Sequence, residues 1–178
     1  MGASDYIAGS ALLVSVFTFY WTAIREKRAF YLVIVKGNSI SISPEFALIN
    51  AGHTDILVTS ILCAFEKEGG NEWYVPEILS LGDIGTSFSL SSGKSLHCKV
   101  EFLGKDMNER LAEGGKFERN GSFSLYYKDM TVIVEWVNSR GKEFKAEAKI
   151  AKYGFTKDGG ISMIRSLDRR HDLYKISS

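Results

Sequence analysis

The sequence predicts a mainly β protein: one N-terminal transmembrane α-helix followed by a single antiparallel β-sandwich. Three observations carry this expectation. An uncharged apolar run extends from Tyr6 to Ile24 and is closed at once by Arg25-Glu26-Lys27-Arg28. Behind it, β-branched and aromatic segments recur at roughly ten-residue spacing with turn residues between them, the pattern of an antiparallel sandwich. Glycine is plentiful (17) and proline scarce (2). The Gly-Gly pairs at 69–70, 114–115 and 159–160 therefore read as turns between apolar segments, not as disorder.

The run YIAGSALLVSVFTFYWTAI contains no Asp, Glu, Lys, Arg, His, Pro, Asn or Gln. As a helix it would be roughly 28 Å long, against a hydrocarbon core of about 30 Å. A single pass must satisfy its backbone internally, which leaves only the helix. Tyr6 lies at one end and Tyr20 with Trp21 at the other, where amphipathic rings favour the headgroup layer. The membrane-interface set is Tyr20, Trp21, Arg25, Lys27 and Arg28. No Lys or Arg precedes the run, so the positive-inside rule places the C-terminal domain in the cytoplasm and the short N-terminus outside. A cleaved signal peptide is the competing reading. Such a peptide opens on cations and closes on small residues, whereas MGASD carries only Asp5 and the run closes on Phe19-Tyr20-Trp21. An uncleaved anchor fits better.

Ala8, Ala11, Ser15, Thr18 and Thr22 recur at spacings of three and four and form one stripe of small residues along the helix. Such a stripe lets two helices approach closely in lipid, so these five are the candidates for helix association. In the commoner alternative the hydroxyls bond only carbonyls of their own helix.

Beyond the anchor (1–28) lie about 150 residues, a normal size for one domain with a sizeable core. The expected boundaries are a sandwich at 29–155 and a C-terminal tail at 156–178 that could form a short helix. Lys+Arg number 22 and Asp+Glu 21, a net +1, so bulk charge argues neither for nucleic acid nor for a strongly anionic surface partner, and no nucleic-acid partner is expected. Phe30–Val35 and Ile40–Ser43 read as strands. Phe46–Asn50 and Ile56–Phe65 read as the next pair, joined by a turn in which Gly52 supplies conformational freedom and Asn50 or Asp55 bonds the local backbone. Trp73–Val75 is a short extended piece. Phe88–Leu90 leads through Ser91-Ser92-Gly93-Lys94 into a strand with Leu96, Cys98, Val100 and Phe102 on one face and His97, Lys99 and Glu101 on the other. Asp106–Phe117 is polar and could hold a helical turn. Phe123–Tyr127 reads as a short strand. The clearest hairpin joins Met130–Val137 to Lys142–Tyr153 through Asn138-Ser139-Arg140-Gly141, with Lys145, Glu147 and Lys149 alternating against Ala146, Ala148 and Ile150.

Three stretches, FALINAGHTDILVTSIL, FSLSSGKSLHCKVEF and VIVEWVNSRGKEFKAEAKI, resemble an immunoglobulin- or fibronectin-III-like domain. The first is similar to a strand–N-x-G–strand hairpin, the second to a turn before an alternating strand, and the third to a last hairpin. The resemblance implies an Ig-like β-sandwich, and the overall plan resembles bacterial single-pass membrane proteins that carry such a domain. The chain departs from antibody-type domains in two ways. Cys63 and Cys98 are close in sequence for the usual intersheet pair, and no tyrosine-corner arrangement precedes Cys98. The likeness implies an architecture and no activity.

No residue pattern here carries catalysis. His53, Cys63, His97 and Cys98 are zinc-ligand types without C-x-x-C or H-x-x-x-H spacing, and adjacent His97 and Cys98 on a strand point to opposite faces. There is no G-x-S-x-G, and the glycine pairs do not follow P-loop or dinucleotide spacing. Asp106, Glu109 and Glu113 read as a solvated face. The expectation is a protein without cofactor or metal that is not an enzyme. Ile161–Lys175 interleaves Arg165, Arg169, Arg170 and Lys175 with apolar residues and could lie on anionic headgroups, although Asp168 and Asp172 dilute its charge in favour of a solvated tail.

The sequence therefore points to a membrane-tethered, non-enzymatic interaction or scaffold module. Its partners are membrane lipid and a protein held at the cytoplasmic face, or a second copy bound through the transmembrane helix. The alternative is an exported, envelope-facing structural or ligand-binding domain on a signal anchor. In a cytoplasmic domain Cys63 and Cys98 are reduced thiols facing the core, and in an exported one they could pair.

Overall fold

Apolar–polar alternation along the chain builds two antiparallel sheets that bury their facing sides against each other. The computed structural model describes residues 3–21, 28–36, 44–66, 73–74, 79–80, 87–100, 118–120, 123–158, 160–166 and 169–178. A helix, α1 (Ala3–Phe19), precedes β1 (Phe30–Lys36), β2 (Glu45–Asn50), β3 (Ile56–Glu66), β4 (Trp73–Tyr74), β5 (Leu79–Ser80) and β6 (Phe88–Leu90). There follow β7 (Ser95–Val100), β8 (Glu118–Asn120), β9 (Phe123–Val137), β10 (Glu143–Phe155), β11 (Ile161–Ser166), β12 (Arg170–Asp172) and a single turn of helix, α2 (Leu173–Ile176). The first sheet runs β12-β1-β2-β7-β5. The second runs β11-β10-β9-β3-β4, with β6 also pairing with β3 and β8 with β9.

The segments expected as one hairpin, β2 and β3, lie in different sheets. Ile49 of β2 faces Ser95 of β7 in the first sheet, and Ile56 of β3 faces Leu90 of β6 in the second. A two-stranded ribbon thus leaves one sheet and enters the other at a double corner made by Asn50–Asp55 and Ser91–Lys94. The reason is the side chain of Asn50, which is 2% exposed. Its Nδ2 donates to the carbonyls of Thr54 (2.9 Å) and Leu90 (2.8 Å), and its Oδ1 accepts from the Gly52 N–H (3.1 Å). Its own N–H donates to the Lys94 carbonyl (3.0 Å), and its carbonyl accepts from the Gly93 N–H (2.8 Å). Asp55 Oδ1 accepts from the Ser92 N–H (2.9 Å), and the Ser92 hydroxyl donates to the Gly52 carbonyl (2.7 Å). Turning a ribbon would orphan backbone groups inside the protein, and this network satisfies them. The turn freedom assigned to Gly52 belongs to Gly93, whose φ is 73°. Among the described glycines only Gly141, at 75°, shares that region.

β9 keeps one phase, with Met130, Val132, Val134 and Trp136 all facing the core. Both of its neighbours change phase at a bulge. In β3 the inward set passes from Ile56 and Val58 to Ile61, Cys63 and Phe65 around the extra residue Thr59. In β10 it passes from Ala146, Ala148 and Ile150 to Ala151, Tyr153 and Phe155 across the shift between Lys149 and Ala151. A one-residue insertion switches every later side chain to the other face, so the bulges keep long strands apolar inward over their full length. The β9–β10 hairpin closes as its sequence predicts. Asn138 Oδ1 accepts from the N–H groups of Arg140 (3.0 Å) and Lys142 (2.9 Å), and the Gly141 N–H donates to the Asn138 carbonyl (2.9 Å).

The last residues, expected as a tail, belong to both sheets. β11 pairs with β10 and β12 pairs with β1. Leu173 of α2 is fully buried, and Tyr174 packs edge-on against Trp136 and Phe144. Leu173 and Tyr174 seat this segment on the core, and the expected short helix is a single turn within it. The expected strand at Ile40–Ser43 and the helical turn within Asp106–Phe117 lie outside the described residues.

Among the described residues, all buried side chains of the core fall between Ala29 and Leu173. Residues 29–178 alone should therefore give a β-type circular dichroism spectrum and a single cooperative urea transition; a disordered spectrum would contradict this. In that fragment Asn50→Ala strands the Thr54 and Leu90 carbonyls and the Gly52 N–H, and should lower unfolding stability by about 3 kcal/mol. Asn50→Asp should cost at least as much, because it turns a carboxylate oxygen toward two carbonyls.

Candidate functional site

Two features stand apart from an ordinary folded interior: the apolar helix and the paired thiols between the sheets. α1 spans Ala3–Phe19, 17 residues, and its winding widens at Tyr20 and Trp21. It starts earlier than the expected Tyr6 and is about 25 Å long at the α-helical rise. Among the described residues no helix is long and apolar enough to cross a membrane. Every described side chain from Tyr6 to Trp21 is exposed. Ten large apolar side chains, eight on α1 and then Tyr20 and Trp21, are between 51 and 72% exposed, and they occupy all sides of the helix, not one stripe.

The structure places Ala8, Ala11, Ser15 and Thr18 on this exposed surface, while Thr22 lies outside the described residues. The Ser15 hydroxyl donates to the Ala11 carbonyl (2.8 Å) and that of Ser10 to the Ile7 carbonyl (2.9 Å). These hydroxyls are used within their own helix, the alternative weighed from sequence. Tyr20 and Trp21 are exposed, Trp21 stacking on Phe17 at 5.7 Å between centroids. Of the basic cluster, Arg28 is described and exposed; Arg25 and Lys27 lie outside the described residues.

Cys63 of β3 and Cys98 of β7 are contributed by opposite sheets to the same core, both as free thiols 1% exposed. Burial pushes the Cys98 thiol up to about 12 from its ordinary 9.0. Burial also raises Cys63, and the charge that Cys98 would carry raises it further. Tyr153, on β10, is raised by burial and then by Cys63. Three groups from three strands thus bear on one another inside the sandwich. Burial keeps both thiols protonated at neutral pH, whereas the thiolate is the reactive form.

His97 and Cys98 point to opposite faces as expected, His97 outward and Cys98 inward. His53 is exposed in the corner. Among the described residues no three His, Cys, Asp or Glu side chains come together as metal ligands. A groove of about 480 Å³ lies near the β9–β10 turn, lined by Thr59, Glu135, Val137, Glu143, Lys145 and Ser178 among others.

Sequence reasoning missed one pairing on the first sheet. The Arg170 guanidinium lies over the Tyr31 ring, 3.9 Å from its centroid. Arg170 was visible as part of a basic segment, but no local signal pairs β12 with a strand that lies far upstream. No family model, curated protein or solved structure matches this chain.

The thiols give a direct test. Both hold their protons more tightly folded than unfolded, so their contribution to stability is intact below about pH 9; that of Cys98 is lost as pH rises through about 12, and that of Cys63 at higher pH still. Urea stability should be level with pH up to that lower limit and fall above it. At pH 8 a thiol reagent should leave both cysteines unlabelled in the folded protein and label both in urea. Fast labelling of either without denaturant would contradict the buried placement.

Proposed function

We propose that this chain is a membrane-tethered, non-enzymatic interaction module: α1 and the apolar residues after it form a single-pass anchor, and an Ig-like sandwich is held at the cytoplasmic face to engage a protein partner. One observation carries the tether, the exposure of ten large apolar side chains around α1 and the two residues that follow it. Full burial is worth about 2 kcal/mol per side chain and more than half of each is still in water, so roughly 12 kcal/mol of burial is outstanding, comparable to the net stability of a typical domain. A protein groove covers one stripe of a helix; a bilayer covers all of it. The apolar sequence continues to Ile24, and a span somewhat shorter than the bilayer is accommodated by local thinning. Orientation rests on Arg25, Lys27 and Arg28 following the run with no Lys or Arg before it. The interaction role rests on a densely apolar core beneath outward-facing charged alternation, and the Ig-like assignment adds architecture only.

A second reading has its own support. Cys63 and Cys98 occupy the same core from opposite sheets, which suits an exported domain where the two could be oxidised to an intersheet disulfide.

The full chain should remain with membranes through alkaline carbonate extraction, and a chain lacking residues 1–24 should be released. A cysteine reporter near Ser178 should resist a membrane-impermeant thiol reagent in intact cells and react after lysis. Labelling without lysis, together with a mass two hydrogens lighter than the dithiol, would replace the cytoplasmic reading with the exported one.

A further inference from the structure

We propose that the outer face of the first sheet, at its β1–β12 edge, lies against an anionic phospholipid surface, with Tyr31, Val35 and Arg170 as the contact groups. The proposal rests on the tethered reading and deepens it. The first support is reach. Phe30, the first residue of β1, is nine residues beyond Trp21, so a fully extended connection spans on the order of 30 Å at most. With Trp21 at the headgroup layer, the sandwich cannot leave the membrane surface by more than about its own width.

The second support is the make-up of this face. β1 turns Phe30 and Leu32 inward, and Tyr31 and Val33 outward. A register shift between Ile34 and Lys36 makes Val35 the extra residue of a bulge, and it is 51% exposed. Alternation along β1 puts Val35 on the outward stripe that Tyr31 and Val33 begin, and the bulge ends the regular pairing there. Ile49, directly opposite Tyr31 on β2, continues the stripe sideways.

The third support is charge. β12 places Arg170 opposite Val33, with its guanidinium over the Tyr31 ring. A ring capped by a cation joins apolar and phosphate-binding surface in one unit. Among the described residues the acidic groups of this face have cations beside them: Asp172 is 3.7 Å from Lys175, and Glu45 sits opposite Lys99. Arg169 and Arg170, both exposed, tip the edge toward positive. On the outer side of β9 and β10 the cations Lys145 and Lys149 are taken up in ion pairs with Glu147 and Asp129.

The test uses the full chain in nanodiscs of phosphatidylcholine alone or mixed with phosphatidylglycerol, with a fluorophore on Val35→Cys or, as control, on Lys145→Cys. The native thiols are buried and do not compete for label. Lipids spin-labelled at the headgroup should quench the Val35 label about twofold or more beyond the control when phosphatidylglycerol is present. Arg170→Gln should reduce this excess, and Arg170→Glu should abolish it. Equal quenching at the two positions overturns the proposal and leaves the face to a protein partner. A chain that fails to co-purify with the discs overturns the tether, and the proposal with it.

Discussion

Asn50 is the point on which the two sheets depend. A sandwich needs its chain to pass from one layer to the other, and here two strands make that passage side by side. The corner turns ladder groups inward, where a lost partner costs about 1–3 kcal/mol each. One buried carboxamide answers this because it carries donors and an acceptor on the same short arm. It holds the Thr54 carbonyl before β3, the Leu90 carbonyl at the end of β6 and the Gly52 amide within the turn. The Ala51 N–H donates to the Ala29 carbonyl (2.8 Å), so the entry to β1 is tied to the same corner. Apolar packing supplies the bulk of the stability, but it is non-directional and does not choose which strand goes to which sheet. The carboxamide does.

What could be read from the sequence was local. The alternation of Lys145, Glu147 and Lys149 against Ala146, Ala148 and Ile150 places β10 and its inward face correctly, and Asn138 to Gly141 announces its turn. Cys98 inward and His97 outward followed from period two alone. The bulges were not legible, because β3 and β10 simply appear to lose their alternation at Thr59 and beyond Ile150. Only the unbroken phase of β9 between them explains the slip. The partners of Asn50 were half legible: its bond to Gly52 is a two-residue event, whereas Leu90 lies 40 residues away. The C-terminal segment was misread for the same reason. Its arginines are conspicuous, yet Leu173 and Tyr174, packed on a core built far upstream, decide where it goes.

The same division between local and distant information runs through the functional reading. The apolar run from Tyr6 to Ile24 is visible in nineteen consecutive letters; the exposure of the α1 residues within it turns a composition into an energetic demand. The Arg170–Tyr31 contact needs the whole fold to bring β12 beside β1. The thiols belong to neither group. Cys63 and Cys98 are ordinary in sequence and become notable only because opposite sheets contribute them to one interior, where burial holds both protonated.

The most direct test of the corner is amide hydrogen exchange on the native full chain. If Asn50 joins the sheets into one unit, the N–H groups of Asn50, Gly52 and Gly93 open only with global unfolding, and their exchange free energies match those of the central β9 amides at Val132 and Val134. Exchange of the three corner amides through a local opening, at free energies well below those of β9, would contradict it.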